Sequence, residues 1–137
     1  MQNGGKMKKR QNAHCESGQA LVELAVSLPV LLLLLFGIME FGWYFYNQMS
    51  IENGSREGAR YAIVNSESAT LTTDVEILVQ NMIKGPGTTV VLVSLIGDDI
   101  KVTVNKSVPT LTPLASLFTN AQGGMYSLSA STLMKIA

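Results

Sequence analysis

The chain has 137 residues, ten basic and ten acidic, with 47% hydrophobic content and a single cysteine and histidine. That length holds one small domain, and His14 and Cys15, both ahead of Gly18, are the only cysteine or histidine available for a disulfide, a thiolate nucleophile, a histidine base or a zinc site. Net charge is zero yet unevenly shared: Lys6, Lys8, Lys9 and Arg10 outweigh Glu16 before Gly18, and nothing downstream gathers basic residues into a nucleic-acid footprint.

The basic stretch is followed by an oily one. From Leu24 to Met39 only Ser27, Pro29 and Gly37 are not strongly apolar. A helix of about 16 residues covers roughly 24 Å; adding Leu21 and Val22 before it, and Phe41 and Trp43 to Tyr46 after it, extends this to roughly 39 Å. The aromatics fall where a membrane interface favours them, and basic residues before the run predict a cytoplasmic N-terminus with the remainder exported. A secretory signal would end in small residues after the apolar run, but Phe36-Gly37-Ile38-Met39-Glu40-Phe41-Gly42 offers no such exit. Glu23, at the head of the run, is the anomaly, because a carboxylate at the bilayer edge is costly without a partner.

Past Tyr46 the helical pattern continues. Ser50, Gly54, Gly58 and Ala62 recur every four residues and line one face for close helix packing, expected to lie on the chain's own sheet or else to make a subunit contact, which Arg60 could also make. Glu52 and Arg56 are an i, i+4 pair of favourable polarity, and Asn53-Gly54 is a point where the helix could break. Thr73-Asp74-Val75-Glu76 predicts a capping box opening a second helix that Gly85-Pro86-Gly87 stops. "TTVVLVSLI" and "IKVTVNKSV", joined through Gly97, Asp98 and Asp99, read as a hairpin, and Ile100, Val102 and Val104 alternate with Lys101, Thr103 and Asn105. A loop with Pro109 and Pro113 leads through Gly123-Gly124 to a third strand, in which Tyr126, Leu128 and Ala130 alternate with Ser127, Ser129 and Ser131. Adjacent Asp98 and Asp99 suit a turn better than a calcium site. The expected fold is α+β: a long N-terminal transmembrane helix, then a small exported domain with a short helix and a three-stranded antiparallel sheet.

Gly18, four residues, Glu23 and an apolar helix resemble the processing signal of type IV prepilins. More narrowly, "GQALVELAVSLPVLLLLLFGIMEFG" and "SREGARYAIV" are similar to the TadE-like family of minor pilins or pseudopilins of the Tad (tight adherence) pilus system. The carriers are Gly18, Glu23, Leu28-Pro29, Glu40-Phe41-Gly42 and Gly58-Ala59-Arg60, together with the tail "SLSASTLMKIA". The leader ends Glu16-Ser17-Gly18, where many relatives have a basic residue before the glycine. The resemblance implies a basic leader over 1–18 that a prepilin peptidase removes between Gly18 and Gln19, a transmembrane and assembly helix over 19–48, and an exported domain over 49–137. It implies that Glu23 meets the free α-amine of a neighbouring subunit, since two charges in a low-dielectric core cost least when each neutralises the other.

By that resemblance the partners are the membrane, the prepilin peptidase, other pilin or pseudopilin subunits and the assembly platform, with no nucleic acid, small-molecule substrate, metal or cofactor. The location is the cytoplasmic (inner) membrane, single-pass, with the C-terminal domain outside, and then the extracellular pilus. The competing reading is a bitopic signal-anchored envelope protein whose exported domain binds a partner without polymerising. An enzyme is the least favoured class, because the carboxylates after Gly18 form no paired arrangement and no histidine or cysteine remains there.

Overall fold

The computed structural model describes residues 8–113, 115 and 124–136, with residues 8–17 described as backbone alone. Lys6, the side chains of His14 and Cys15, and Gly123 of the expected Gly-Gly turn lie outside the described residues. In chain order the elements are α1 (Lys8–Val64), α2 (Leu71–Met82), β1 (Thr88–Ile96), β2 (Asp99–Pro109) and β3 (Met125–Lys135). A long apolar helix, a short helix and a three-stranded antiparallel sheet make an α+β fold.

Two compact units divide between Ile38 and Met39. In the first, the described side chains from Gly18 to Ile38 are exposed, apart from half-buried Phe36. A helix that is apolar all round and uncovered by protein has a lipid-like solvent as its natural surroundings, and this one is long and apolar enough to cross a membrane. Pro29 sits inside it, removing one backbone donor and freeing the carbonyl of Ala25.

In the second unit, α1 changes character: Glu40, Asn47, Ile51, Gly54, Ser55, Gly58, Ala59 and Ala62 are buried at three- and four-residue steps, while Phe41, Phe45 and Met49 stay exposed. The 48/49 boundary expected from hydropathy marks where the oily composition ends. The packing boundary comes ten residues earlier because Glu40, Trp43 and Asn47 are engaged by the folded unit.

The sheet is a meander, β1-β2-β3. Ile96 opposite Asp99 leaves Gly97-Asp98 as a two-residue turn, with Gly97 at φ +64° as such turns require, so Asp99 is the first residue of β2 and no part of the turn. Central β2 buries Ile100, Val102, Val104, Lys106 and Val108, every second residue, against α1 and α2. At Gly87 (φ +114°) any Cβ would collide with the carbonyl oxygen of Ser107, so glycine is obligatory where the chain enters β1.

One local expectation is corrected, and one point the sequence left open is decided. The second helix opens at Leu71, with Thr70 in the N-cap position, and Thr73 lies inside it. The Thr70 hydroxyl donates to Asp74 Oδ2 (2.7 Å) and caps no backbone N–H. The start is set by burial of Leu71, which falls one turn before Val75 and two before Val79 on the same buried face. The Asn53-Gly54 pair does not break α1, because Gly54 lies beneath Ile83 and Val79 of the α2 region: a Cβ there would come 2.8 Å from Ile83 Cδ1. Tertiary packing outweighs glycine's helix penalty of about 1 kcal/mol.

Gly58 is equally close, with a Cβ placed 2.8 Å from Val79 Cγ2 and 3.3 Å from Val102 Cγ1, whereas Gly42 has open space around it. Gly58→Leu is therefore expected to cost about 1–3 kcal/mol through overpacking, and Gly42→Leu to cost nothing and to raise stability by up to about 1 kcal/mol through helix propensity. Denaturant unfolding of the detergent-solubilised chain, followed by the fluorescence of Trp43, compares the two.

Candidate functional site

Gly18, Gln19 and Glu23 lie on α1, with Gln19 and Glu23 one turn apart on the same face and both exposed. Nothing lies within 4 Å of where a Gly18 Cβ would be. The Ser27 hydroxyl donates to the Glu23 carbonyl (2.6 Å) and more weakly to that of Leu24 (3.4 Å). The Glu23 carboxylate itself has no hydrogen bond or ion pair among the described residues.

Glu40 is the opposite case. Only 9% exposed, its carboxylate accepts from the backbone N–H of Leu111 (3.1 Å), from the N–H of Thr112 (2.9 Å) and from the Thr112 hydroxyl (2.9 Å). The Tyr126 phenol, on β3, lies beside the carboxylate and interacts with it electrostatically. Consecutive N–H groups converging on one anion form a nest, here filled by the chain's own carboxylate. Burial pushes the Tyr126 phenol above its ordinary pKa, and the neighbouring Glu40 carboxylate pushes it the same way. Beside it, Trp43 Nε1 donates to the Pro109 carbonyl (3.1 Å), and the Tyr44 and Tyr126 rings meet edge to face at 5.8 Å.

One turn on, Asn47 donates through Nδ2 to the Trp43 carbonyl (2.9 Å) and accepts at Oδ1 from Lys106 Nζ (3.0 Å). Lys106 is 1% exposed; its only other acceptor among the described residues is the Lys84 carbonyl, at 3.5 Å. Without a carboxylate beside it, burial drives the Lys106 pKa below the ordinary lysine value.

Of the remaining sequence candidates, Gly54 and Gly58 lie against Val79 and Ile83, with Val75 and Val102 also beside Gly58. Arg60 is exposed on another face. Arg56 and Glu52 approach to 3.9 Å in solvent, a pair that adds little. No cluster of potential metal ligands occurs among the described residues.

The segment that carries Gly18, Glu23, Glu40, Gly58 and Arg60 is the one that known proteins share. Residues 18–60 match the family model of TadE-like proteins. No curated protein and no solved structure matches the chain. The TadE-like family is a structural, pilus-associated one. The matched stretch opens at Gly18, runs through the whole apolar helix and closes at Arg60, so it contains Glu40, Trp43 and Asn47 but none of their partners on β2 or just past its end.

Those partners escape a reading of the sequence. Lys106 continues the alternation of Ile100, Val102 and Val104, so its parity alone placed it inward, although a lysine reads as solvent-facing. Glu40, Trp43 and Asn47 have helical spacing on one face, yet nothing local points to Leu111, Thr112 or Tyr126 as their counterparts.

Glu40→Gln keeps the shape but replaces an ionised acceptor of several hydrogen bonds by a neutral one with an NH₂ group facing N–H donors. The expected loss is about 1.5–3 kcal/mol in unfolding free energy, with altered Trp43 emission and loss of near-ultraviolet dichroism from Tyr126 as local signs.

Lys106 generates a pH dependence. Its pKa is lower in the folded chain than in the unfolded one, so between the folded value and the ordinary 10.5 the unfolded state binds more protons and stability rises with pH. Tyr126, raised when folded, opposes this above the ordinary value of 10.0. Subtracting the curve of Lys106→Met cancels the Tyr126 contribution. The wild-type stability relative to Lys106→Met is expected to increase as pH climbs through the alkaline range, measured by thermal unfolding in detergent.

Proposed function

We propose that the chain is a minor pilin or pseudopilin of a Tad-type pilus. A prepilin peptidase cuts it after Gly18, the apolar helix holds it in the cytoplasmic membrane with the folded unit outside, and the processed subunit enters or primes a filament used in surface adherence. The observation that carries this reading is the coincidence of the TadE-like match with Gly18 at its first residue and an unpartnered Glu23 at the head of an apolar helix.

The mechanism follows from charge. Cleavage at Gly18 creates an α-amine on Gln19, and helices packed side by side exclude water from both this cation and Glu23. A carboxylate from one subunit and an amine from the next then neutralise each other, whereas either one alone would remain a buried, unpaired charge. In this reading the peptidase, sister pilins and the assembly platform are the partners, and α1 serves first as anchor and then as filament core.

N-terminal sequencing of membrane-fraction protein should begin at Gln19, and Gly18→Leu should retain the full-length chain. Glu23→Gln is expected to insert and be cleaved normally, since an amide is cheaper than a carboxylate to place in lipid. It should be depleted from sheared pili, because breaking a buried pair costs about 3–5 kcal/mol. Normal incorporation of the amide variant would refute the assembly role of Glu23.

A further inference from the structure

β1 is an edge strand of nine residues, Thr88–Ile96, with neither a charge nor a proline in it. Its pairing with β2 runs without a bulge from Thr88 opposite Ser107 to Ile96 opposite Asp99. Val90, Leu92 and Ile96 point to the sheet face away from α1 and α2 and are about half exposed. Among the described residues the backbone of β1 makes no hydrogen bond outside the ladder with β2. Natural sheets blunt such edges with lysine, proline, bulges or a covering segment, and β1 shows none of these among the described residues. β3 forms the opposite edge; on the same face the middle of the strand shows small, exposed Ser127, Ser129 and Ser131, with Met125, Leu133 and Lys135 exposed toward its ends.

We propose that β1 of one copy of this chain pairs with β3 of a second copy, so that the sheet continues from subunit to subunit. The area involved selects the occupant. A nine-residue strand is about 30 Å long and adds about 5 Å of width on each of two faces, roughly 300 Å² per partner; stable interfaces between freely diffusing proteins need about 800 Å² per partner. An edge this small holds only a partner already kept nearby, and a second copy anchored in the same membrane is kept nearby by its own apolar helix. The inference therefore rests on the anchoring reading given above.

Topology selects the strand. β1 and β3 each run antiparallel to β2, so they are parallel to one another. Setting β3 of one copy against β1 of the next, in parallel, relates the two copies by a shift along the sheet combined with its ordinary twist of about 20–25° per strand, without reversing either copy. Neither copy is inverted relative to the other, as anchoring in one membrane demands. Pairing β1 with β1 would need a two-fold rotation and would close at a dimer, whereas the shifted contact is head-to-tail and leaves a free edge at each end.

The test is disulfide trapping with the full-length chain in membranes. Two differently tagged forms, both carrying Cys15→Ser, are co-expressed: one with Leu92→Cys in β1, the other with Ser127→Cys, Ser129→Cys or Ser131→Cys in β3. Mild oxidation should give a mixed-tag dimer for at least one β3 position, and a chain carrying both cysteines should give a ladder of multimers. Val90→Lys, a charge added to the outward face of the edge, should abolish the mixed dimer while leaving the circular dichroism spectrum unchanged. Three results would overturn the pairing: membrane-bound chains that give no mixed dimer, dimers formed only between two Leu92→Cys chains, or mixed dimers insensitive to a folded Val90→Lys variant. Recovery of the chain in the soluble fraction would instead remove the anchoring reading, and the proposal with it.

Discussion

A carboxylate is tolerated inside a small domain only when hydrogen-bond donors are already held in position around it. Glu40 meets that condition through three donors, the backbone N–H groups of Leu111 and Thr112 and the Thr112 hydroxyl, with the Tyr126 phenol at the start of β3 beside them. Since these lie just past the end of β2 and at the beginning of β3, satisfying one side chain of α1 positions one end of the sheet. Trp43 repeats the attachment one turn later, at the Pro109 carbonyl. Farther along, the absence of side chains at Gly54 and Gly58 lets Val79 and Ile83 approach the helix, and the apolar face of α2 closes the core.

Three ionisable side chains divide the molecule by how their charge is met. Glu40 is saturated within the folded unit. Lys106 is buried with amide and carbonyl acceptors only, so its charged form is tolerated at a cost and its pKa falls. A buried ammonium of this kind gives the packing of α1 on β2 a specific register through Asn47, whereas a methionine of similar size could slide. Glu23 makes no side-chain hydrogen bond or ion pair among the described residues.

The same helix solves two solvation problems in succession. From Leu24 to Ile38 it is apolar around nearly its whole circumference, and its side chains are exposed apart from half-buried Phe36. From Met39 onward one face turns to Gly, Ala, Ser, Asn and Glu and is packed, while Phe41, Phe45 and Met49 remain outside. Small residues on the packed face permit close approach, and large apolar ones on the free face remain available to lipid or to a neighbouring subunit.

Much of this was legible in sequence because it depends on near neighbours in the chain. The apolar run, the Gly18-to-Glu23 spacing, the alternation of β2 and β3 and the Gly97-Asp98 turn are set by local sterics and by a periodicity of 3.6 or 2. Other features depended on contacts between residues far apart: the start of α2 at Leu71 instead of Thr73, the continuity of α1 through Asn53-Gly54, the inward lysine on β2 and the nest around Glu40. Each is decided by burial, which is a property of what arrives from elsewhere in the chain, and burial here outweighed a capping motif, a glycine's helix penalty and a lysine's preference for water. The sequence by itself determined which segments are helix, strand and oily anchor, because backbone sterics and hydropathy act locally; tertiary structure alone decided which polar groups lie inside and what satisfies them, because a buried charge takes its partners from seventy residues away.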